Sequence, residues 1–148
     1  MILPPSMIES TTTGLERFVQ AQERVYESVR QELSRGKKTS HWMWYVFPQL
    51  EDLGRSPTAK YFGIESKEEA LGYWQHPILG PRLKECTQLV LAQRNSTAHE
   101  IFGSPDDLKF KSCMTLFAQV APGEPVFRQA LEYFFAGTPD ESTLRPSA

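Results

Sequence analysis

The amino-acid sequence predicts a mainly α protein, a compact single-domain bundle of about six helices. Apolar residues recur at helical spacing in several segments, and these segments begin at capping residues and end at glycine or proline. The composition, with 40% hydrophobic and 23% charged residues, is that of an ordinary globular protein. A chain of 148 residues is long enough to bury one hydrophobic core. We therefore expect one globular domain at 14–144, with flexible tails at 1–13 and 145–148.

The first predicted helix runs from Gly14 to Arg35, because apolar residues recur on one of its faces from Leu15 to Leu33. Gln22 lies on that same face. Leaving its amide without a partner there would cost roughly 1–3 kcal/mol. Gln22 is therefore expected to form hydrogen bonds inside the protein.

The segment 41–47 lies between a serine and a proline and is predicted as a short helix, although its aromatic and β-branched residues also suit a strand. A helix would turn Met43, Val46 and Phe47 inward. A strand would divide the side chains between its faces differently, since its period is two residues.

Two further helices have clear start signals. Ser66 and Glu69 have the spacing of a capping box, and Pro77 lies just beyond the helix that they open. Ser104 and Pro105 precede two aspartates, which predicts a capping serine, a proline at the first helical position and acids at the positive end of the helix dipole. The remaining predicted spans are 81–93, 97–102, 104–120 and 126–135.

Charge, cysteine content and motifs exclude several classes of protein. A net charge of −2 and a pI near 5.9 give no general attraction to nucleic acid or to an anionic membrane. Cys86 and Cys113 form no CxxC pair and have no histidine at zinc spacing, so we expect reduced thiols and a cytoplasmic protein. No signal peptide and no run of ~20 apolar residues is recognisable. Phosphate-loop, dinucleotide-binding, zinc-protease and serine-hydrolase motifs are absent, and we predict neither a metal nor a cofactor.

Four motifs follow one another along the chain: RFVQAQ, SHWMWYVFPQL, HPILGPRL and IFGSPDDLKFKSCMTLFAQV. With these motifs, from about residue 15 to residue 144, the chain resembles the family known as domain of unknown function 1810. The resemblance implies a small, mostly helical protein and no particular activity. Some members carry the label calpastatin, but calpastatin is a disordered repeat protein and this composition is globular. The family pattern tends to have serine in place of Cys113, which makes this thiol a poor candidate for a nucleophile.

The first candidate site is the aromatic segment SHWMWYVFPQL. Its tryptophan and tyrosine rings would stack on a planar base, while histidine and glutamine would supply hydrogen bonds. The alternative is that these large side chains simply fill the core. The predicted ligand-binding residues are His41, Trp42, Trp44, Tyr45 and Gln49.

The second candidate site is the helix that begins near Asp106. Lys109 lies in its first turns, and Ser112 and Thr115 share one face. Serine and threonine are unusual choices for a face in open water, so this face is predicted to line a site. The alternative is a solvated outer face without a function.

Four more residues are predicted to bind a ligand. Arg55 and Arg82 are candidates to hold an anionic group bidentately, and Arg55 lies in a loop rich in glycine, serine and proline. His76 is a candidate because an imidazole can donate or accept a hydrogen bond, although it is also placed to form a rigid turn with the proline that follows. Gln22 is included because its amide faces inward.

Two functions fit these candidates. The first is a small-molecule site of nucleotide type that hydrolyses the N-glycosidic bond of an ADP-ribose-like ligand. Asp106, or alternatively Asp107, would stabilise positive charge on the ribose. Lys109 would orient the carboxylate or a phosphate, and His41 would supply a hydrogen bond. The second is a noncatalytic module that presents the segment 41–50 to a partner protein. A pocket in which Gln22, His41 and Lys109 converge would favour the first function, and a flat aromatic patch would favour the second.

Overall fold

The computed structural model of the chain describes residues 14–93 and 95–144, so the tails expected at 1–13 and 145–148 lie outside the described residues. Within those residues the protein is helical and forms no strand, which confirms the mainly α class. A short 3-10 helix covers Glu51–Leu53. The α-helices are α1 (Gly14–Glu23), α2 (Tyr26–Ser34), α3 (Met43–Val46), α4 (Pro57–Tyr61), α5 (Lys67–Gln75), α6 (Leu79–Leu91), α7 (Ala98–Phe102), α8 (Asp106–Val120), α9 (Val126–Phe135) and α10 (Glu141–Leu144).

The described residues form more helices than the six expected, partly because the helix predicted over 14–35 is two helices. Val25 separates them, with backbone angles of φ −124° and ψ −6°. The break changes the direction of the chain, so that α1 packs on α3 while α2 packs on α6. The short helices α4 and α10 were not predicted.

The helix start signals had different outcomes. Ser66 caps α5 as expected, since its hydroxyl accepts a hydrogen bond from the backbone N–H of Glu69 at 3.1 Å. The prediction that Ser104 caps α8 is wrong. The peptide bond between Ser104 and Pro105 is cis, α8 begins one residue later at Asp106, and no side chain caps this end.

The core is built around α8, which packs against α5, α7, α9 and α10. Its middle turns are therefore buried on every side, and Phe110 and Phe117 are fully enclosed. Ser112 and Thr115 are only 6% and 2% exposed. The alternative interpretation of their face as a solvated surface is wrong, because the chain around α10 covers it.

The loop before α4 is fixed to the rest of the protein by a parallel bridge between Leu50 and Ile64. The backbone N–H of Glu51 donates to Ile64 at 2.8 Å, and the N–H of Ile64 donates to the carbonyl of Gln49 at 2.9 Å. A Cβ atom on Gly63 would lie 2.4 Å from the Cα of Glu51, so this close approach requires a glycine. The bridge thereby holds Gln49 beside the groove described below.

Among residues 14–93 and 95–144, no helix is both long enough and apolar enough to cross a membrane.

Candidate functional site

A groove on one side of the protein is centred on Lys109, which lines two adjoining compartments of about 420 Å³ each. A narrow recess that also contains Lys109 shares residues with both. We name the two halves the Trp44 compartment and the Arg55 compartment. The first is lined by, among others, Lys38, His41, Trp44, Ser104 and Asp106. The second is lined by, among others, Gln49, Arg55, Ser56, Ser112, Asp140 and Ser142.

Asp106 lies between two lysines at the floor of the Trp44 compartment. The Nζ atom of Lys38 is 2.8 Å from Oδ2 of Asp106, and the Nζ atom of Lys109 is 3.5 Å from Oδ1. The side chain of Lys38 is only 7% exposed, so its charge is held where water is scarce and depends on this carboxylate. Asp106 is consequently a fixed anionic group with a tightly held cation on one side and a looser one on the other.

The wall of the same compartment is formed by the start of α3. Trp44 is half-buried, and the Nζ atom of Lys109 lies 5.4 Å from the centroid of its ring. A cation at this distance is attracted by the face of the indole. His41 is exposed, and its imidazole forms no hydrogen bond or ion pair with the residues that the structure describes. The short helix turns Met43 and its neighbours inward, as expected of a helix, and leaves His41 free to meet a ligand.

Glu32 in α2 binds the segment that leads into this wall and stabilises it from the interior of the protein. Its Oε1 atom accepts hydrogen bonds from the backbone N–H groups of Thr39 at 2.7 Å and Ser40 at 2.9 Å, and from the indole Nε1 of Trp42 at 3.0 Å. Burial by itself would raise the pKa of the Glu32 carboxyl, but these hydrogen bonds outweigh it and lower the pKa to about 2. Glu32 is thus a buried carboxylate that fixes the chain leading into the site.

The prediction of Trp42 as a ligand-binding residue requires correction. Trp42 is 1% exposed, its ring packs near that of Phe47, and its N–H is used by Glu32. Because α3 begins at the next residue, Trp42 points into the core while Trp44 points to the groove. The core interpretation therefore holds for Trp42, as it does for the buried ring of Phe47.

Gln22, Tyr45 and Arg82 belong to a different network. The Nε2 atom of Gln22 donates to the carbonyl of Tyr45 at 2.7 Å and to the hydroxyl of Tyr73 at 3.0 Å. Arg82 donates to Oε1 of Gln22 at 3.4 Å and forms an ion pair with Glu23 at 3.0 Å. Gln22 thus has the buried partners that its position required. It does not converge with His41 and Lys109, and neither Tyr45 nor Arg82 lines the groove.

His76 also lies away from the groove. Its Nδ1 atom accepts hydrogen bonds from the backbone N–H groups of Ile78 at 3.1 Å and Leu79 at 3.3 Å, at the start of α6. This is the rigid-turn arrangement that was the alternative for His76. The residue lines a separate shallow depression beside Trp74.

The hydroxyl groups of α8 are occupied by structural bonds. Thr115 donates to the carbonyl of Lys111 at 2.9 Å and accepts from the backbone N–H of Asp140 at 2.9 Å, so it ties the segment before α10 to α8. Ser112 donates to the carbonyl of Leu108 at 3.1 Å. Ser112 lines the Arg55 compartment and Thr115 does not.

The two cysteines are free thiols buried in the protein. Burial raises the pKa of Cys86 to about 12 and also raises that of Cys113. In the part of the chain that the structure describes, no group of three or more His, Cys, Asp and Glu side chains is placed to hold a metal ion.

Seven of the predicted site residues line the groove. They are His41, Trp44, Gln49, Arg55, Asp106, Lys109 and Ser112. The supporting residues Lys38 and Glu32 were not predicted. Neither had a local signal, because Lys38 acts through a contact with the distant Asp106 and Glu32 acts through the fold of residues 39–42 back over α2.

The structure is that of a small, mainly helical protein with an open polar groove beside its central helix. The chain belongs to the family described as "Protein of unknown function (DUF1810)", whose sequence profile matches residues 12–146. The resemblance drawn from the four motifs is therefore confirmed. The chain is also similar to the crystal structure of the conserved hypothetical protein Rv1873 from Mycobacterium tuberculosis, with 52% identity, a TM-score of 0.87, and coverage of 88% of this chain and 93% of that one. No match was found among curated proteins.

Proposed function

We propose that the Trp44 compartment binds the ring of a nucleotide-type small molecule and that the protein hydrolyses an N-glycosidic bond of an ADP-ribose-like ligand there. The observation that supports this proposal is the position of Lys109. Its Nζ atom lies near the Trp44 ring and forms an ion pair with Asp106. A cation, an aromatic ring and a carboxylate thus lie side by side in one groove, as a ligand with a base, a ribose and a phosphate would require.

Ring binding would depend on Trp44 and His41. A base stacked on an aromatic side chain gains about 1–3 kcal/mol, and a half-buried indole is already held in place by its neighbours. The free imidazole of His41 would donate or accept a hydrogen bond at the edge of the base or at a ribose hydroxyl.

The proposed reaction adds water to C1′ of the ribose. The bond between C1′ and the base nitrogen breaks, the hydroxyl of water stays on C1′, and the proton leaves with the base. Positive charge develops on the ribose as the bond breaks, and Asp106 is the carboxylate placed to stabilise it. Because Lys109 is 3.5 Å from this carboxylate while Lys38 is 2.8 Å away, a ligand phosphate would draw Lys109 away more readily and free Oδ1 for the ribose.

We expect Lys109→Ala to weaken the binding of ADP-ribose at least tenfold, because it removes the cation shared by both halves of the groove. Binding is measured as thermal stabilisation over a titration of ADP-ribose and NAD. A ligand at 100 times its dissociation constant adds about 2.7 kcal/mol, which is several degrees for a protein of this size. The matched control is Lys111→Ala, because Lys111 is on the same helix but does not line the groove.

Equal loss of binding in the two lysine variants would mean that the effect is nonspecific. No stabilisation of the wild-type protein by either ligand would reject the nucleotide site.

We expect Asp106→Asn to reduce turnover of a bound N-glycoside at least tenfold, because the neutral amide cannot offset charge on the ribose. Turnover is measured as release of the free base by liquid chromatography. The control is Asp107→Asn, since Asp107 is the next residue, is equally sheltered and pairs instead with His99 at 3.5 Å. Full turnover in Asp106→Asn would remove the catalytic half of the proposal and leave the binding half.

A second candidate function, the noncatalytic interaction module, is favoured by Leu108. This side chain is 59% exposed at the edge of the Arg55 compartment, where it offers a partner protein an apolar contact beside the groove. The burial of Trp42 removes one ring from the surface that such a module would use. If no ligand stabilises the protein while Leu108→Ala abolishes recovery of one defined partner from cell extract, this function replaces the first.

A further inference from the structure

We infer that the Arg55 compartment is a subsite for a phosphate-type anion carried by the ligand whose ring occupies the Trp44 compartment. The inference rests on the proposed function for the identity of the ring. Its own support is a set of hydrogen-bond donors and positive charges at one place: Arg55 and two serine hydroxyls that bind no acceptor among the described residues, together with Lys109, whose ion pair with Asp106 is long at 3.5 Å.

Arg55 supplies the main positive charge. The residue is exposed in the loop before α4, and its guanidinium forms no hydrogen bond or ion pair with residues 14–93 or 95–144. Arg17 binds the carbonyls of Tyr61 and Gly63, and Arg82 binds Glu23. Arg24 and Arg35 are also exposed but lie outside the groove, so it is the position of Arg55 in this compartment that distinguishes it. A guanidinium presents its N–H groups in a planar fork that matches two oxygens of a phosphate.

Hydroxyl donors complete the compartment. Ser56 accepts a hydrogen bond from the backbone N–H of Ala59 at 3.1 Å, which leaves its own O–H free to donate. Ser142 makes no hydrogen bond with the described part of the chain, so its hydroxyl is free as well. Ser112 is not such a donor, because its hydroxyl already donates a hydrogen bond to the carbonyl of Leu108. The donors available to an anion are therefore Arg55, Lys109, Ser56 and Ser142.

The balance of charge favours an anion. Arg55 and Lys109 are the cations that line this compartment, and Asp140 is the carboxylate that lines it. The Oδ2 atom of Asp140 accepts the backbone N–H of Thr143 at 3.0 Å, so this carboxylate is partly engaged at the start of α10. The remaining excess of one positive charge would be neutralised by a phosphate.

The position of Lys109 sets how the ligand would lie. It forms part of the wall of both compartments, so a molecule that occupies both must pass across it. A nucleoside would fill the Trp44 compartment alone, whereas a nucleotide would place its phosphate between Lys109 and Arg55. The groove should therefore prefer a nucleotide to the nucleoside of the same base.

The test compares adenosine, adenosine monophosphate and inorganic pyrophosphate by isothermal titration calorimetry against the wild-type protein, Arg55→Ala and Trp44→Ala. We expect adenosine monophosphate to bind at least tenfold more tightly than adenosine. Arg55→Ala should remove the preference for the monophosphate and leave the affinity for adenosine unchanged. Trp44→Ala should weaken the binding of adenosine and leave the binding of pyrophosphate unchanged. Arg35→Ala is the matched control, since Arg35 is also exposed but lies outside the groove.

The outcomes separate this inference from the proposed function. If adenosine and its monophosphate bind equally, or if Arg55→Ala weakens both equally, the anion subsite is rejected while the ring site stands. If neither nucleoside nor nucleotide binds, the proposed function fails and pyrophosphate decides the subsite alone. Pyrophosphate binding that is lost in Arg55→Ala supports the subsite, and absence of pyrophosphate binding overturns it.

Discussion

Phe110→Ala is expected to lower the free energy of unfolding by about 3–5 kcal/mol, the cost of removing a fully buried phenylalanine. Phe110 is 0% exposed at the middle of α8. Its ring centroid lies 4.7 Å from that of Phe102, stacked, and 5.0 Å from that of Phe47, edge to face. The rings of Phe134 and Phe135 lie farther out, at 6.3 Å each. Truncation therefore leaves a cavity between three helices and Phe47, which directly follows α3, and removes favourable aromatic contacts as well.

The effect is measured by urea denaturation followed by circular dichroism, with the slope of the transition checked for a change in the unfolded state. Because proteins of this kind are stable by only about 5–15 kcal/mol, the expected loss is a large share of the total. Leu108→Ala is the control, since Leu108 lies on the same helix but is 59% exposed and should change stability by about 0.5 kcal/mol or less. Similar losses in the two variants would contradict the central position of Phe110.

The mainly α class was predictable because it depends on local signals. The last of the predicted helices illustrates this: its apolar residues and the glycine beyond it predicted the span 126–135, and α9 covers Val126–Phe135. The break at Val25 had no such signal. It arises because α1 and α2 pack against different partners, and that competition exists only once the chain has folded.

The candidate site was partly predictable for a related reason. His41, Trp44 and Gln49 lie in one short segment, and Asp106 and Lys109 lie in one helical turn, so each group was recognisable by itself. That these two groups lie next to each other is a result of tertiary packing, which no local pattern predicts. Lys38 was missed because the second of two lysines beyond a helix end is typical of an ordinary surface residue, although its side chain is 7% exposed and paired with Asp106.

Glu32 is a second residue whose role could not be predicted from the local sequence. A glutamate in the predicted helix over 14–35 looks like part of its solvated face, but this one is 3% exposed. Its burial follows from the return of residues 39–42 over the end of α2, where three N–H groups needed an acceptor. The groove wall therefore depends on a residue that no local pattern marks.

Glu32→Gln is expected to lower the free energy of unfolding by about 3 kcal/mol at pH 7, because the folded protein holds the pKa of this carboxyl at about 2 rather than at its ordinary 4.5. A lowered pKa stabilises the folded state above the ordinary value, and this contribution disappears as the pH falls from about 4.5 towards 2. The difference in stability between wild type and variant should thus be constant from pH 7 to pH 5 and fall to roughly half by pH 3.

The measurement is a series of urea transitions at pH 7, 5, 4 and 3 for the wild type, Glu32→Gln and Glu27→Gln. Glutamine keeps one acceptor oxygen for the three N–H groups but replaces the other carboxylate oxygen with an NH2 group. The part of the difference that falls with acid therefore reports the charge-assisted contribution. Glu27 is on the same helix, but its side chain is 70% exposed and pairs with Arg30 at the surface, so its loss should change little at any pH. A difference between wild type and Glu32→Gln that does not shrink with acid would show that the carboxylate is not held in this way. A difference that shrinks as expected, together with weaker ADP-ribose binding in Glu32→Gln, would connect the buried acid to the groove wall that it supports.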